Sequence, residues 1–511
     1  MEWEIELLAD QPLGQKLIKK GFWLYLFTFL IAPAGYIIKV IISNELSVAD
    51  VGIFYSVLGF VTIISLYNDL GLTEALQYFL PKYRIEKEYH KVKTISILTW
   101  IIQFISWILI SGWLYLASNR LAIHYFHSPE SVHIIRLFCL YFFWINFVQV
   151  FSSFFVAFQD TFNQLFIDFI RNYVTLGFTL IFRLGNIFTL SYFTWAWLVW
   201  VLISIICWIF IFLKKYKKVL TLWTFNFDKA LVKKQLKYAR RVFLGTNAGI
   251  LFGQISQQIA IYFLWPEAAG YYANYYALFM TYGVIVWPIL WLIFPIATEL
   301  ITKKDHEKLA LLQDMLYKYL LIFAVAIAWI FFAFGPEIAI ILFGTKFYYS
   351  WVLVSYTAPF LLLNILISIN YWILAGLGKI KDRVKILWLA LLINIIVNFI
   401  CILVFHIGLL WPILWVIIWR SILRYFSFKI VDRNQKITLD RKYLIKNISI
   451  IWIVMIVFFF IKEYFFIINN VYRFHNLIYL AIAMFIYFAI LWWSNYVSIK
   501  NAIQEIKKMM R

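Results

Sequence analysis

The sequence predicts an all-α polytopic membrane protein of about 14 transmembrane helices, built as two pseudosymmetric six-helix lobes plus two C-terminal helices. Three observations lead there. First, 64% of the 511 residues are apolar and 14% are charged, with a mean hydropathy of +0.83; soluble domains hold about 45–50% and about 25%. Second, the apolar residues fall in blocks of roughly the 20 residues that cross a bilayer. Third, lysine and arginine gather in alternate connections between those blocks, as cytoplasmic loops require. A soluble enzyme and a disordered chain are both excluded.

Taken in order, the spans are about 22–43, 51–68 (continuing to about 80), 94–117, 134–157, 165–182, 192–213, 242–264, 269–298, 316–343, 352–375, 386–405, 408–428, 447–468 and 474–497. The first twenty residues mix Glu2, Glu4, Glu6 and Asp10 with Lys16, Lys19 and Lys20, which is not the pattern of a cleavable signal. Connections on the side of the N-terminus carry 34 bases, against 5 on the other side. This ratio places both termini in the cytoplasm and the protein in the cell (plasma or inner) membrane. It also accounts for most of the net charge of +21, so no nucleic-acid partner is implied. The connections opposite the N-terminus are short. Cys139, Cys207 and Cys401 lie in apolar stretches without metal-ligand or redox spacing and are expected to be reduced, buried thiols.

An internal repeat organises the chain. Asp50-Val51-Gly52-Ile53-Phe54-Tyr55 follows the first span and Ala268-Ala269-Gly270-Tyr271-Tyr272-Ala273 follows the seventh, 218 positions later. Phe79-Leu80-Pro81 and Ile293-Phe294-Pro295 correspond in the same order, as do His90-Lys91 and His306-Glu307-Lys308. The expected organisation is an N-lobe at 1–213, a basic cytoplasmic linker at 214–240, a C-lobe at 241–430 and an extra helix pair at 431–511. Parallel repeats of this kind mark transporters, with the substrate path between the halves.

The segments Lys39-Val40-Ile41-Ile42-Ser43, Leu46-Ser47-Val48-Ala49-Asp50-Val51-Gly52-Ile53-Phe54-Tyr55, and Asp69-Leu70-Gly71-Leu72-Thr73-Glu74-Ala75-Leu76 running into Phe79-Leu80-Pro81-Lys82-Tyr83 carry a family resemblance. They resemble the polysaccharide (O-antigen type) flippases of the multidrug/oligosaccharidyl-lipid/polysaccharide exporter superfamily. The resemblance implies two six-helix lobes around a cavity built mainly from the first, second, seventh and eighth spans. It also implies alternating access that carries a polyprenyl-pyrophosphate-linked oligosaccharide from the cytoplasmic to the outer leaflet, for polysaccharide or glycan biosynthesis. At Lys39 the sequence departs from the arginine usual in that family, and an ammonium cannot make the bidentate phosphate contact of a guanidinium.

Such a substrate needs fixed positive charge for its pyrophosphate and neutral hydrogen-bonding groups for its sugars. Ionisable groups within spans cost about 2.5–3.5 kcal/mol to insert at mid-helix, so each is a candidate. Lys39 reads either as a cavity cation, able to pair with Asp50 or a phosphate, or as a lysine snorkelling from near the helix end. Asp69 and Glu74 read as ligands for a coupling ion, H+ or Na+, as partners for a base of the other lobe, or as carboxylates solvated where the helix emerges. Gln254, Gln257 and Gln258 share a face of the seventh span, with Asn274 on the eighth; they read as sugar-binding groups or as interhelical hydrogen bonds. Pro33 and Gly35 predict a hinge in the first span. Asp168 and Arg171 are expected to pair with each other, Asn394 and Asn398 to tie helices together, and Arg136, Lys318, Lys446, Arg420 and Arg424 to snorkel.

No metal site or cofactor motif is present in the sequence. A glycosyltransferase or polymerase would need acidic groups in sizeable outer loops, so the chain reads as a transporter and not an enzyme. A peptidoglycan-precursor flippase and a cation-coupled drug exporter of the same superfamily are the alternatives.

Overall fold

The computed structural model describes residues 13–434, apart from 87, 159, 222–227, 304 and 378, together with isolated positions beyond 434. Within the described residues every regular element is helical. Nine helical segments there are long and apolar enough to cross a membrane, and the chain is a multi-pass membrane protein. Of the expected spans at 447–468 and 474–497 only isolated positions are among the described residues.

The helices, in order, are α1 (Leu13–Glu45), α2 (Val48–Asp69), α3 (Leu72–Ile85), α4 (Tyr89–His124), α5 (Ser131–Ala157), α6 (Thr161–Leu184), α7 (Leu190–Thr221), α8 (Lys229–Phe279), α9 (Gly283–Thr302), α10 (His306–Phe343), α11 (Tyr348–Thr357), α12 (Leu361–Gly376), α13 (Ile380–Phe399) and α14 (Trp411–Asn434). Their contacts divide the chain into two compact units, Met1–Ala273 and Asn274–Arg511. In the first, α1 packs on α6, α5 lies against α2, α3, α4 and α7, and α6 lies against α7. In the second, α12 contacts α9, α10, α13 and α14, while α10 also packs on α11.

Three expected spans are not continuous helices. The second breaks at Leu70 and Gly71, both with left-handed backbone (φ 51° and 77°), and restarts as α3. A hydropathy window cannot register a two-residue reversal of handedness inside an apolar run. The eighth is divided at Met280–Tyr282 between the end of α8 and α9. The tenth is interrupted by a short 3-10 turn, Ala358–Phe360, around Pro359, whose ring denies an α-helix its hydrogen bond. Conversely, the helix that carries the seventh span begins before residue 242. The last part of the expected linker, from Lys229, is already helical; the helix ends where Trp265 leaves helical backbone, between the expected seventh and eighth spans, and residues 266–279 fold back so that Gln257 bonds the Ala269 carbonyl oxygen. Of the three thiols, Cys139 and Cys401 are buried but Cys207 is half-buried, and all are free.

The break after α2 is held by Asp69. Its carboxylate accepts hydrogen bonds from the Gly71 amide (3.1 Å), the Thr73 amide (3.1 Å), the Thr73 hydroxyl and Gln103 Nε2 on α4 (2.7 Å). Helix α3 has no side-chain cap at Gly71 itself, so Asp69 satisfies amides that the start of a helix leaves open. Below the break, α3 supplies Leu72, Leu76, Phe79 and Leu80 to a core completed by aromatic residues of α5 and α7, such as Phe154, Phe155 and Trp208. The carboxylate therefore fixes the direction in which this core helix departs.

Asp69→Ala is expected to cost about 1–3 kcal/mol through the lost cap and the amides left open. Hydrogen exchange of the purified protein checks this: exchange at the Gly71 and Thr73 amides should rise more than at mid-α2. Unchanged protection there would contradict the assignment.

Candidate functional site

Helix α2 runs antiparallel to the part of α8 before Trp265, from Gly59 against Gln254 and Gln258 to Gly71 against Ala239, and its first turn meets Pro266 and Gly270 just beyond Trp265; glycine makes the approach possible. A Cβ on Gly52 would stand 1.9 Å from the carbonyl oxygen of Pro266 and 2.7 Å from the amide nitrogen of Gly270. A Cβ on Gly270 would stand 2.0 Å from the carbonyl oxygen of Val48. The two contacts are reciprocal: Gly270 follows Gly52, and Pro266 follows Val48, by the same 218 positions that relate the sequence motifs. In an apolar solvent helices gain little by burying apolar faces, and small residues admit the close backbone packing that holds them together.

Further along the seam the contacts become polar. Gln257 Nε2 donates to Ser56 Oγ and to the Ala269 carbonyl oxygen, both at 3.0 Å. Gln258 Nε2 donates to the Ser56 carbonyl oxygen at 3.0 Å, and its Oε1 accepts from the Tyr125 hydroxyl at 3.1 Å. The side chains of Gln254 and Gln258 cover Gly59, whose hypothetical Cβ would meet them at 2.7 and 2.8 Å. Tyr67 meets Phe243 lower down. At the far end a Cβ on Gly71 would stand 2.4 Å from the Ala239 carbonyl oxygen. Glycine is thus required at 71 both by positive φ and by lack of space.

At the kink of α8, Trp265 has φ 71° and ψ 172°, a conformation costly for a residue with a Cβ. The surrounding contacts hold it: the His127 ring lies 4.4 Å from the Trp265 ring, and His127 Nε2 is 2.9 Å from the Tyr262 carbonyl oxygen.

Lys39 sits beside the seam. The turn joining α1 to α2 is fixed by a capping box, in which Ser47 Oγ accepts from the Asp50 amide (3.0 Å) and the Ser47 amide donates to Asp50 Oδ2 (3.3 Å). The carboxylate that the sequence offers as a partner for Lys39 is therefore engaged in the turn. With the hairpin so registered, Lys39 Nζ lies over the Tyr55 ring, 3.4 Å from its centroid. Lys39 is 6% exposed and its ammonium makes no hydrogen bond. The outward snorkelling reading does not describe this side chain.

The other expected site residues separate. Asp69 braces the break described above, and Glu74 lies in the first turn of α3 with one carboxyl oxygen buried. Both are at the opposite end of α2 from the Lys39–Tyr55 contact. Asn274 is fully buried. Pro33 and Gly35 are inside a continuous α1, and a Cβ at Gly35 would make only an ordinary contact with Asn172.

Asp168 and Arg171 pair at 3.3 Å, as their spacing predicts. Asn398 donates to Asn394 at 2.6 Å, so the two bond along α13 to each other. Arg136 donates to Ser118 on α4 at 3.2 Å and tethers two helices. Arg420 does not snorkel: it is 1% exposed, with its guanidinium 4.6 Å and 4.5 Å from the Phe279 and Trp419 ring centroids. This cation of the second unit is one the sequence placed at a headgroup, because periodicity alone does not report which side of α14 meets protein.

Comparison with known proteins agrees with this architecture. The chain belongs to the polysaccharide biosynthesis protein family, which it matches over residues 17–301. It is 25% identical over 405 residues to an uncharacterized membrane protein of Methanocaldococcus jannaschii, covering 76% of this chain and 79% of that one. Among solved structures it resembles the lipid II flippase MurJ in an inward closed conformation, with a TM-score of 0.70 at 14% identity over 91% of this chain and 97% of that chain. It also resembles an inward-facing multidrug resistance MATE family transporter of the MOP superfamily, with a TM-score of 0.67 at 15% identity over 81% and 98%. A MOP superfamily transporter from Pyrococcus furiosus matches with a TM-score of 0.59 at 15% identity over 83% and 98%. These likenesses establish the fold.

A methyl group at position 52 has no space between α2 and Pro266. Gly52→Ala is expected to destabilise this arrangement by about 1–3 kcal/mol, as overpacking does. The thermal unfolding midpoint of the detergent-purified protein should fall. An unchanged midpoint would contradict the close approach.

Proposed function

We propose that this chain is a flippase, moving a polyprenyl-pyrophosphate-linked oligosaccharide from the cytoplasmic to the outer leaflet by alternating access. The observation that carries the reading is the Lys39 ammonium, buried within the protein, lacking any hydrogen bond, and inside the region that matches the polysaccharide family. A dry ammonium is unfavourable unless something anionic compensates it during function. A pyrophosphate supplies charged acceptors of the kind it lacks.

With both termini cytoplasmic, the Gly52–Gly270 end of the seam lies toward the outer face and the Gly71–Ala239 end toward the cytoplasm. Each end must part in turn for the headgroup to pass. The two lobes at 1–213 and 241–430, joined by the basic linker and followed by an extra helix pair, would supply the moving bodies. Pro33 and Gly35 would let α1 bend as it follows α2. Gln254, Gln257 and Gln258 would exchange their bonds with α2 for sugar hydroxyls when the seam opens, with Asn274 a further hydrogen-bonding group. Asp69 and Glu74, at the cytoplasmic end, are the groups we assign to a coupling H+ or Na+.

The test is reconstitution in vesicles with a defined polyprenyl-pyrophosphate oligosaccharide, under imposed H+, Na+ and potential gradients. Appearance of the glycan in the outer leaflet is read with a membrane-impermeant glycosidase. Lys39→Gln is expected to lower transport about tenfold to a hundredfold, the loss of one charge-assisted hydrogen bond, and Lys39→Arg to retain it. No glycan movement by the parent protein, with export of small cations instead, would assign it to the drug exporters.

A further inference from the structure

The Lys39 ammonium needs an explanation for remaining in place before any substrate arrives. The acids of α1, α2 and α6 can be followed in turn; on α8, Glu267 beside the Gly52 contact is exposed. On α1 the acid is Glu45, which pairs with Arg183 at 2.9 Å. On α2 the acids are Asp50, engaged in the capping box, and Asp69, engaged at the break. On α6 the acid is Asp168, paired with Arg171. Each carboxylate on these three helices already has another partner, and the ammonium itself makes no hydrogen bond. What meets it is the face of Tyr55, 3.4 Å away.

An aromatic face carries partial negative charge and attracts a cation, most strongly where water is excluded. It takes up one side of the ammonium and leaves the remaining N–H groups directed away from the ring. Tyr55 is itself well anchored. Its neighbour Phe54 is 1% exposed and packs against Phe138, Phe193 and Trp197, while Ser56 on its other side bonds to Gln257 and Gln258. The ring is thus mounted on a stretch of α2 that is fixed from two directions.

We propose that Tyr55 is the positioning residue of the anion site: its ring holds the Lys39 ammonium inside the protein, with free N–H groups turned toward an arriving pyrophosphate. This rests on the reading of Lys39 given above and adds a residue that neither composition nor spacing singles out. It also explains how lysine serves where a flexible stem would otherwise withdraw the charge toward water. The ring supplies the preorganisation that a guanidinium fork would bring by its own shape.

The full-length protein in nanodiscs tests this with two probes, a short polyprenyl pyrophosphate and inorganic pyrophosphate, each measured with and without phosphatidylglycerol in the disc. Tyr55→Phe should bind within about twofold of the parent, because the ring face is retained. Phenylalanines carrying one, two and three ring fluorines, introduced at the same position, drain the ring face with little change of shape. Affinity for both pyrophosphates should fall stepwise, about threefold to thirtyfold in total.

A flat or rising fluorine series overturns the role of Tyr55, even if Lys39→Gln still abolishes binding. Binding that is unchanged in Lys39→Gln overturns the underlying anion site instead. Occupancy by phosphatidylglycerol alone, with no pyrophosphate competition, identifies a bilayer headgroup as the ligand and overturns the proposal for the substrate.

Discussion

The close approach of α2 and α8 is the constraint on which the first unit depends. Gly52 and Gly270 permit backbone contact at one end, and Gly71 permits it at the other. Between them Ser56 receives two glutamine side chains. No other residue types would serve as well, since any Cβ at the glycine positions meets a carbonyl oxygen below contact distance. The approach also accounts for the extent of the first compact unit, which runs to Ala273 and takes in most of α8. Polar groups inside a membrane protein add only modestly to helix association, about 0.6 kcal/mol per bond on average. A seam built from such bonds can hold one arrangement without making its opening prohibitive.

The same hairpin carries the buried charge. Ser47 and Asp50 fix the turn, the turn fixes which residues of α1 and α2 face each other, and that register brings Lys39 over Tyr55. Tyr55 lies one residue from Ser56 and three from Gly52, so the cation and the seam are mounted on one turn of one helix. A pyrophosphate bound to the ammonium on this ring would act on a helix whose other face is the seam. This physical link between substrate charge and helix separation is what the proposed transport cycle requires.

Much of this architecture was legible in the sequence, and particular residues explain the rest. Hydropathy and base distribution give a polytopic helical protein because bilayer thickness and loop charge act on composition directly. The Gly52 and Gly270 motifs were visible as a repeat, but the contact between them was not, since an offset of 218 positions states likeness and not proximity. The position of Lys39 could not be decided because its neighbour Tyr55 lies across a turn, and only the register chooses between a ring and water. For Asp69 the sequence leaves an ion ligand, a partner for a base and a solvated carboxylate open, and the pattern Asp69-Leu70-Gly71-Leu72-Thr73 also spells the helix cap around a left-handed break that the structure shows. Arg420 was assigned to headgroups because Phe279, one of its two ring neighbours, lies 141 positions away.

In the proposed cycle the seam must part at its Gly52 end for transport to occur. A chain with its three native cysteines replaced, carrying Ser56→Cys and Gln257→Cys, places two thiols at facing positions whose native side chains bond across the seam. Bridging them with a short bifunctional thiol reagent, and measuring flipping of the lipid-linked oligosaccharide before and after the bridge is cleaved, tests the claim most directly. Transport should stop when the bridge forms and return when it is broken. Full transport by the bridged protein would contradict it.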